Sequence, residues 1–199
     1  MNLAFLASNN GSSLRAIVAA IEAGALDARP VLVVSNRKTA PALDFAADHG
    51  VAARFIPTAA DPDGADRRLA EALTAAGADL VVLSGYLRKL GPATLAAFGG
   101  RILNIHPALL PRHGGQGMYG RRVHEAVIAA GERESGATVH LVDDQYDHGE
   151  VVAQVRVPLA DDDDAAAVER KVMASEPALF VLTLQRLVAG QLMLPDPGR

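Results

Sequence analysis

Apolar and polar positions run in two alternating periods over the first half of the chain. The short apolar runs Leu3 to Ala7, Pro30 to Val34, Ala53 to Ile56 and Leu80 to Leu83 read as strands, each bounded by Gly, Asn, Ser, Asp or Pro. Between them lie Ala-rich stretches with helical spacing: Ser12 to Ala23, Ala40 to His49 and Ala65 to Ala76. The run Arg101 to Ile105 continues the series. Strands that are apolar almost throughout need cover on both faces, so the pattern predicts an α/β fold with a parallel sheet between helices, half of a doubly wound fold.

Past residue 105 the pattern changes. A Gly-rich loop from Pro107 to Gly120 leads into a helix from about Arg122 to Ala130, followed by extended segments Ala137 to Val142 and Val151 to Val157. A long Ala-rich helix from about Asp164 to Ala189 follows, with a break expected at Pro177, and Gln191 to Leu194 precede a Pro/Gly tail. Nothing repeats and no linker divides the chain. The expectation is one domain over 1–199 that changes character at residue 105, between a first half of 1–105 and a second of 106–199.

Composition removes whole classes of function. With 199 residues, 50% of them hydrophobic and 21% charged, the chain can bury a sizeable core. A formal net charge of -4, with no Lys/Arg run longer than two, offers no basic stripe for a nucleic acid backbone. Cysteine is absent, which rules out disulfides, thiolate metal sites and a Cys nucleophile. No apolar run approaches the roughly 20 residues of a membrane span. Met1 to Ala7 has no basic stretch ahead of it and breaks into Ser8-Asn9-Asn10-Gly11, which reads as a first strand rather than a signal peptide; a cytoplasmic protein is expected.

Three constellations carry chemistry. Asn104-Ile105-His106-Pro107 ends a predicted central strand, where open α/β sheets place their ligands, and Asp147 follows downstream. A carboxamide can hydrogen-bond a carbonyl that becomes an oxyanion, an imidazole can move a proton near neutral pH, and a carboxylate can fix that imidazole: the parts of an acyl-transfer site. Asn104 capping the next turn and His106 as a core histidine is the competing account. Ser8 to Leu14 follows a strand and opens a helix, a place that suits phosphate and equally suits an ordinary βα turn. Gly136 to His140 with Asp147, Gly149 and Gln154 brings a buried-looking His140 toward a turn acid, which also fits an Asx turn. The run Asp161 to Asp164 reads as a helix cap rather than a metal site, because its acids are consecutive and precede a helix.

In order along nearly the whole chain, Ser8 to Leu14, Leu83-Ser84-Gly85-Tyr86-Leu87-Arg88, Asn104 to Pro107 with Leu109-Leu110-Pro111, Thr138-Val139-His140, Asp147, Gln154 and Glu176 resemble the folate-dependent formyltransferase family. The resemblance implies the formyltransferase fold, with a mostly parallel mixed seven-stranded sheet flanked by helices, a Rossmann-like nucleotide-substrate half over 1–105 and a folate-binding and catalytic half over 106–199. It implies formyl transfer from 10-formyltetrahydrofolate, as co-substrate, to the amine of glycinamide ribonucleotide in purine synthesis, with no metal. By that resemblance Gly11, Ser12 and Ser13 hold the ribose phosphate and Glu176 reaches the same substrate. Leu87, Arg88, Lys89 and Leu90 enclose the pterin together with the loop that runs from Asp143 and Asp144 to Asp147. Asn104 and protonated His106 stabilise the oxyanion, Asp147 assists proton transfer, and His140 supports them.

This chain departs from the family's usual pattern at Asn9, commonly Gly, at Ser13, commonly Asn, and at Pro62, where many members carry an Arg near the folate tail. His113 to Gly120 is longer and richer in Gly than the commoner loop, which suggests a mobile cover over the substrate. The rival within the family is formyltetrahydrofolate deformylase, which usually carries an added N-terminal domain for which two residues before Leu3 leave no room. A methionyl-tRNA formyltransferase is disfavoured by the acidic balance and the missing C-terminal RNA-binding domain. A non-catalytic nucleotide-binding module is the rival from another class.

Overall fold

The computed structural model describes residues 1–195; the last four residues of the Pro/Gly tail lie outside them. Thirteen elements follow in chain order among the described residues: β1 (Asn2–Leu6), α1 (Ser12–Glu22), β2 (Arg29–Ser35), α2 (Pro41–Asp48), β3 (Ala53–Phe55), α3 (Pro62–Ala75), β4 (Leu80–Leu83), α4 (Pro92–Phe98), β5 (Ile102–His106), α5 (Arg121–Ala129), β6 (Glu134–Leu141), β7 (Val151–Pro158) and α6 (Ala165–Val188). They build a seven-stranded sheet in the order β3-β2-β1-β4-β5-β6-β7. The pairs from β3 to β5 are parallel, whereas β6 is antiparallel to both β5 and β7.

Strands β1, β4 and β5 are covered on both faces, as their composition required, whereas β3 at the sheet edge is exposed. Leu3, Phe5 and Ala7 of the first strand region pack with Leu14 and Ile17 of α1, Phe45 of α2, Val127 of α5 and Phe180 and Leu184 of α6. Ala4 and Leu6 point the other way, into a second cluster with Leu69 and Leu73 of α3 and Phe98 of α4. Helix α4 has no counterpart in the sequence reading, because its seven residues are too few for a periodic signal.

The expected break at Pro177 is absent: α6 is a continuous 24-residue helix with the proline inside it. Pro177 withholds one backbone N–H, at a cost of about 3 kcal/mol. Val168 and Val172 before it, and Phe180 and Leu184 after it, are all fully buried, and at about 1.5–3 kcal/mol per side chain they more than offset that cost only if the helix stays whole. Asp164 caps the helix by accepting the Ala167 N–H at 2.7 Å, the role expected of the acidic run.

Strand order reverses direction between β1 and β4, and the loops after β1, β4 and β5 all leave from the carboxyl ends of parallel strands. Ligand crevices of open α/β sheets form at such a switch point. Among the described residues no helix is long and apolar enough to cross a membrane.

Candidate active site

The turn after β1 begins with a constraint only glycine meets cheaply. Gly11 sits at φ +68° as the N-cap of α1, and a Cβ there would press on Leu14 and Ala42 at 3.3 and 3.4 Å. With no side chain capping the helix, Leu14 N–H goes to Ser84 Oγ at 2.9 Å and Arg15 N–H to Gly11 O. Among the described residues this leaves the N–H groups of Ser12 and Ser13 for an anion at the positive end of the helix dipole. The Asn9 side chain turns away and accepts from Arg37 Nη1 at 2.7 Å, while Ser8 Oγ donates to Asn36 Oδ1 at 2.6 Å and accepts from Leu87 N at 2.8 Å. The phosphate-type turn is thus tied directly to the loop after β4.

Antiparallel register brings the second and third constellations together. Asn104 on β5 faces His140 on β6, and His106 faces Thr138. Thr138 Oγ donates to Ala108 O at 2.6 Å and accepts from Leu110 N and Gln154 Nε2, which fixes the chain as it leaves the tetrad. Asp147 approaches from the β6–β7 loop at φ +54°, in the left-handed region. Its loop is folded tightly: a Cβ at Gly149 would lie 1.9 Å from Leu141 O.

The carboxylate of Asp147 reaches both rings. Its Oδ2 lies 3.4 Å from His106 Nδ1 and its Oδ1 lies 3.6 Å from His140 Nε2. The Gly115 N–H also donates to Oδ2, at 2.9 Å. His106 Nε2–H donates to the His113 carbonyl at 2.8 Å, so His106 faces one acceptor with each nitrogen. Such a ring is stabilised most when both nitrogens carry protons.

Burial works against that. His106 is 3% exposed, and desolvation, the largest influence on it, pushes its pKa below the ordinary imidazole value, opposed by the Asp147 charge and the His113 carbonyl. The sequence expectation of a largely protonated His106 is therefore corrected in direction. Desolvation outweighs the Asp147 charge. His140 is also pushed down, first by burial. Its Nδ1 sits 2.8 Å from Leu141 O and must donate, so the neutral ring offers an Nε2 lone pair to Asn104 Nδ2 at 3.0 Å. That contact orients the Asn104 amide and leaves its second N–H available.

Asn104, His140, Asp143 and Asp147 share the lining of an open cleft with Arg88, Lys89 and Leu90. Leu87 and Asp144 are exposed and lie off that lining. Gln145 and Tyr146 of the Asp143 to Asp147 loop stand on the same walls, as do Leu83, Tyr86 and Val142, to which sequence reasoning gave no role. Tyr86 stays neutral, its phenol pushed up to about 12 by burial. A neighbouring cleft shares Tyr86, Arg88, Lys89 and Leu90 and is lined by Pro62, which brings no charge there. Glu176 sits on α6, which packs against α1, and desolvation alone raises its carboxyl to about 7. Of the Gly-rich loop, His113 and Gly115 touch the tetrad through their backbones. Among the described residues no group of three His, Asp or Glu side chains is arranged to hold a metal ion.

The formyl transferase family model matches residues 1–184. The chain is 38% identical over 182 residues to the chloroplastic phosphoribosylglycinamide formyltransferase of Arabidopsis thaliana, covering 90% of this chain and 62% of that protein, so it spans less than two thirds of that relative's length. It is 34% identical to the phosphoribosylglycinamide formyltransferase of Escherichia coli, over 98% of this chain and 91% of the other. Among solved structures, glycinamide ribonucleotide transformylase 1 of Symbiobacterium toebii superposes with a TM-score of 0.89 at 33% identity, covering 99% of this chain and 92% of that one. A formyltetrahydrofolate deformylase of Pseudomonas syringae shares the fold, with a TM-score of 0.85 at 21% identity over 98% of this chain and 64% of that one.

Proposed function

The chain belongs to the formyl transferase family, and on that premise we propose that it transfers the formyl group of 10-formyltetrahydrofolate to the amine of glycinamide ribonucleotide. The observation that carries the reading is the cluster of Asn104, His106, His140 and Asp147 at the carboxyl end of β5, beside a turn with free N–H groups. In this reading both partners are small molecules and the protein works in the cytoplasm.

The nucleotide's phosphate lies against Ser12 and Ser13, at the turn that Gly11 makes possible, and Glu176 accepts from its ribose hydroxyls. The pterin fills the cleft between Leu87 to Leu90 and the loop of Asp143, Asp144 and Asp147. Each ligand is held by both halves of the chain, since residues 87–90 come from the first and Glu176 from the second. The amine attacks the formyl carbon, forming a C–N bond while the carbonyl π pair moves to oxygen. Collapse of this intermediate breaks the bond to N10, which takes up a proton as the amine loses one.

Asn104 donates its second N–H to the oxyanion, a contribution of about 3 kcal/mol for a donor of this kind. His106 takes a proton from water as that negative charge forms and returns it when the intermediate collapses, because oxyanion, Asp147 and the His113 carbonyl together favour the imidazolium against burial. Asp147 stabilises this cation and passes protons between amine and N10 through water.

The test mixes purified protein with 10-formyltetrahydrofolate, with and without glycinamide ribonucleotide, following folate absorbance and product mass. Formylglycinamide ribonucleotide formed only with both substrates is the expected result. Formate released without the nucleotide would overturn it in favour of hydrolysis, and binding of both ligands without turnover would overturn it in favour of a binding module.

A further inference from the structure

Two features of the Gly-rich loop remain unused by this mechanism. His113 stands at φ +56°, and with Asp147 it makes up the non-glycine residues at positive φ among the described residues. For a residue with a Cβ this conformation costs roughly 1–2 kcal/mol, so something must hold His113 in it. Its ring lies 3.2 Å from Glu132 Oε1, and Glu132 is itself held by Arg112 at 2.7 Å. Both His113 and Glu132 are largely buried, with side chains 16% and 20% exposed. The next residue is fitted just as tightly: a Cβ at Gly114 would lie 2.4 Å from Leu110 Cδ2 and 3.2 Å from Asp147 Cβ. A side chain there would have to displace the end of Leu110 and press on Asp147; with glycine the loop lies against the acid, and Gly115 donates to Asp147 Oδ2.

We propose that His113 is a positioning residue for His106, its ring anchored by Glu132 so that its backbone carbonyl is fixed at His106 Nε2. The inference rests on the assignment of His106 to the formyl-transfer site. A carbonyl on a free Gly-rich loop would sample many positions and would orient the imidazole poorly. One pinned through the contact of the His113 ring with Glu132 holds the His106 ring at a set angle to Asp147. The anchor lies outside the cleft, so it acts on the geometry of His106 and not on ligand contacts. Reading it from the chain was out of reach, because Glu132 follows α5, nineteen positions after His113.

The test compares wild type with Glu132→Ala, Glu132→Gln and His113→Gly. In wild type the His106 Nε2 proton gives an exchange-protected signal in nitrogen-edited NMR spectra without any ligand, identified by its loss in His106→Asn. Glu132→Ala is expected to abolish that signal and lower kcat at least tenfold while both KM values stay within about twofold. Glu132→Gln keeps an acceptor for the His113 ring and restores both. His113→Gly keeps the backbone angle, loses the anchor and behaves as Glu132→Ala, which covers the case in which that variant does not fold. A signal and kcat unchanged in Glu132→Ala would overturn the proposal, as would kcat and both KM values worsening together. Because the NMR signal needs no turnover, failure of the formyl-transfer reading would show separately, as wild-type protein with the signal and no product.

Discussion

Replacing Glu176 with glutamine separates the cost of a buried acid from its use. In the unfolded chain this carboxyl titrates at its ordinary value of 4.5, whereas in the folded protein it holds its proton up to about 7, with desolvation as the cause. Between those values the native state binds more protons than the unfolded state, so stability falls as pH rises. Below 4.5 both states are protonated and the group costs nothing in this way. Above about 7 the full cost is present, at most about 3 kcal/mol. A glutamine has nearly the same shape and never ionises. Glu176→Gln should therefore gain under about 1 kcal/mol at about pH 5 and up to about 3 kcal/mol at about pH 8. For a protein of this size the larger gain is about 6–12 °C in Tm. Urea unfolding of both proteins at the two pH values measures it. An equal gain at both, or none at the higher pH, would refute the argument. If the carboxylate accepts the ribose hydroxyls, the same variant binds glycinamide ribonucleotide about tenfold or more weakly, because hydrogen bonds to a charged group contribute about 1.5–3 kcal/mol.

Asp147→Asn keeps an acceptor for the Gly115 N–H but removes the charge beside His106, so kcat should fall at least about 100-fold with folate affinity within about threefold; near-normal turnover would count against the assignment. Gly149→Ala would force a Cβ against the Leu141 carbonyl at 1.9 Å, and a loss of more than about 3 kcal/mol in urea unfolding is expected. Ser8→Ala strips Leu87 N–H of its acceptor and Asn36 of its donor. It should cost about 1–3 kcal/mol and raise the KM for the folate, and an unchanged KM would separate the β4 loop from that ligand.

Strand positions, the α/β class and the residue types that meet around Asn104 and His106 were legible in the chain, because each depends on local pattern or on residue types in order. Apolar runs such as Leu80 to Leu83 must be buried on both faces whatever surrounds them. Asn104 and His106 lie two apart on one strand, so a strand alone puts both on one face. What the chain concealed depends on contacts between distant segments. Helix α6 runs through Pro177 because packing on both sides of the proline outweighs one lost hydrogen bond, a balance no helix propensity contains. His106 is held below the ordinary imidazole range because the folded protein withdraws it from water, and the depth of burial is a property of the whole core. His113 reaches the site through its carbonyl, which every residue possesses and no sequence motif can mark; only the path of the folded backbone selected it.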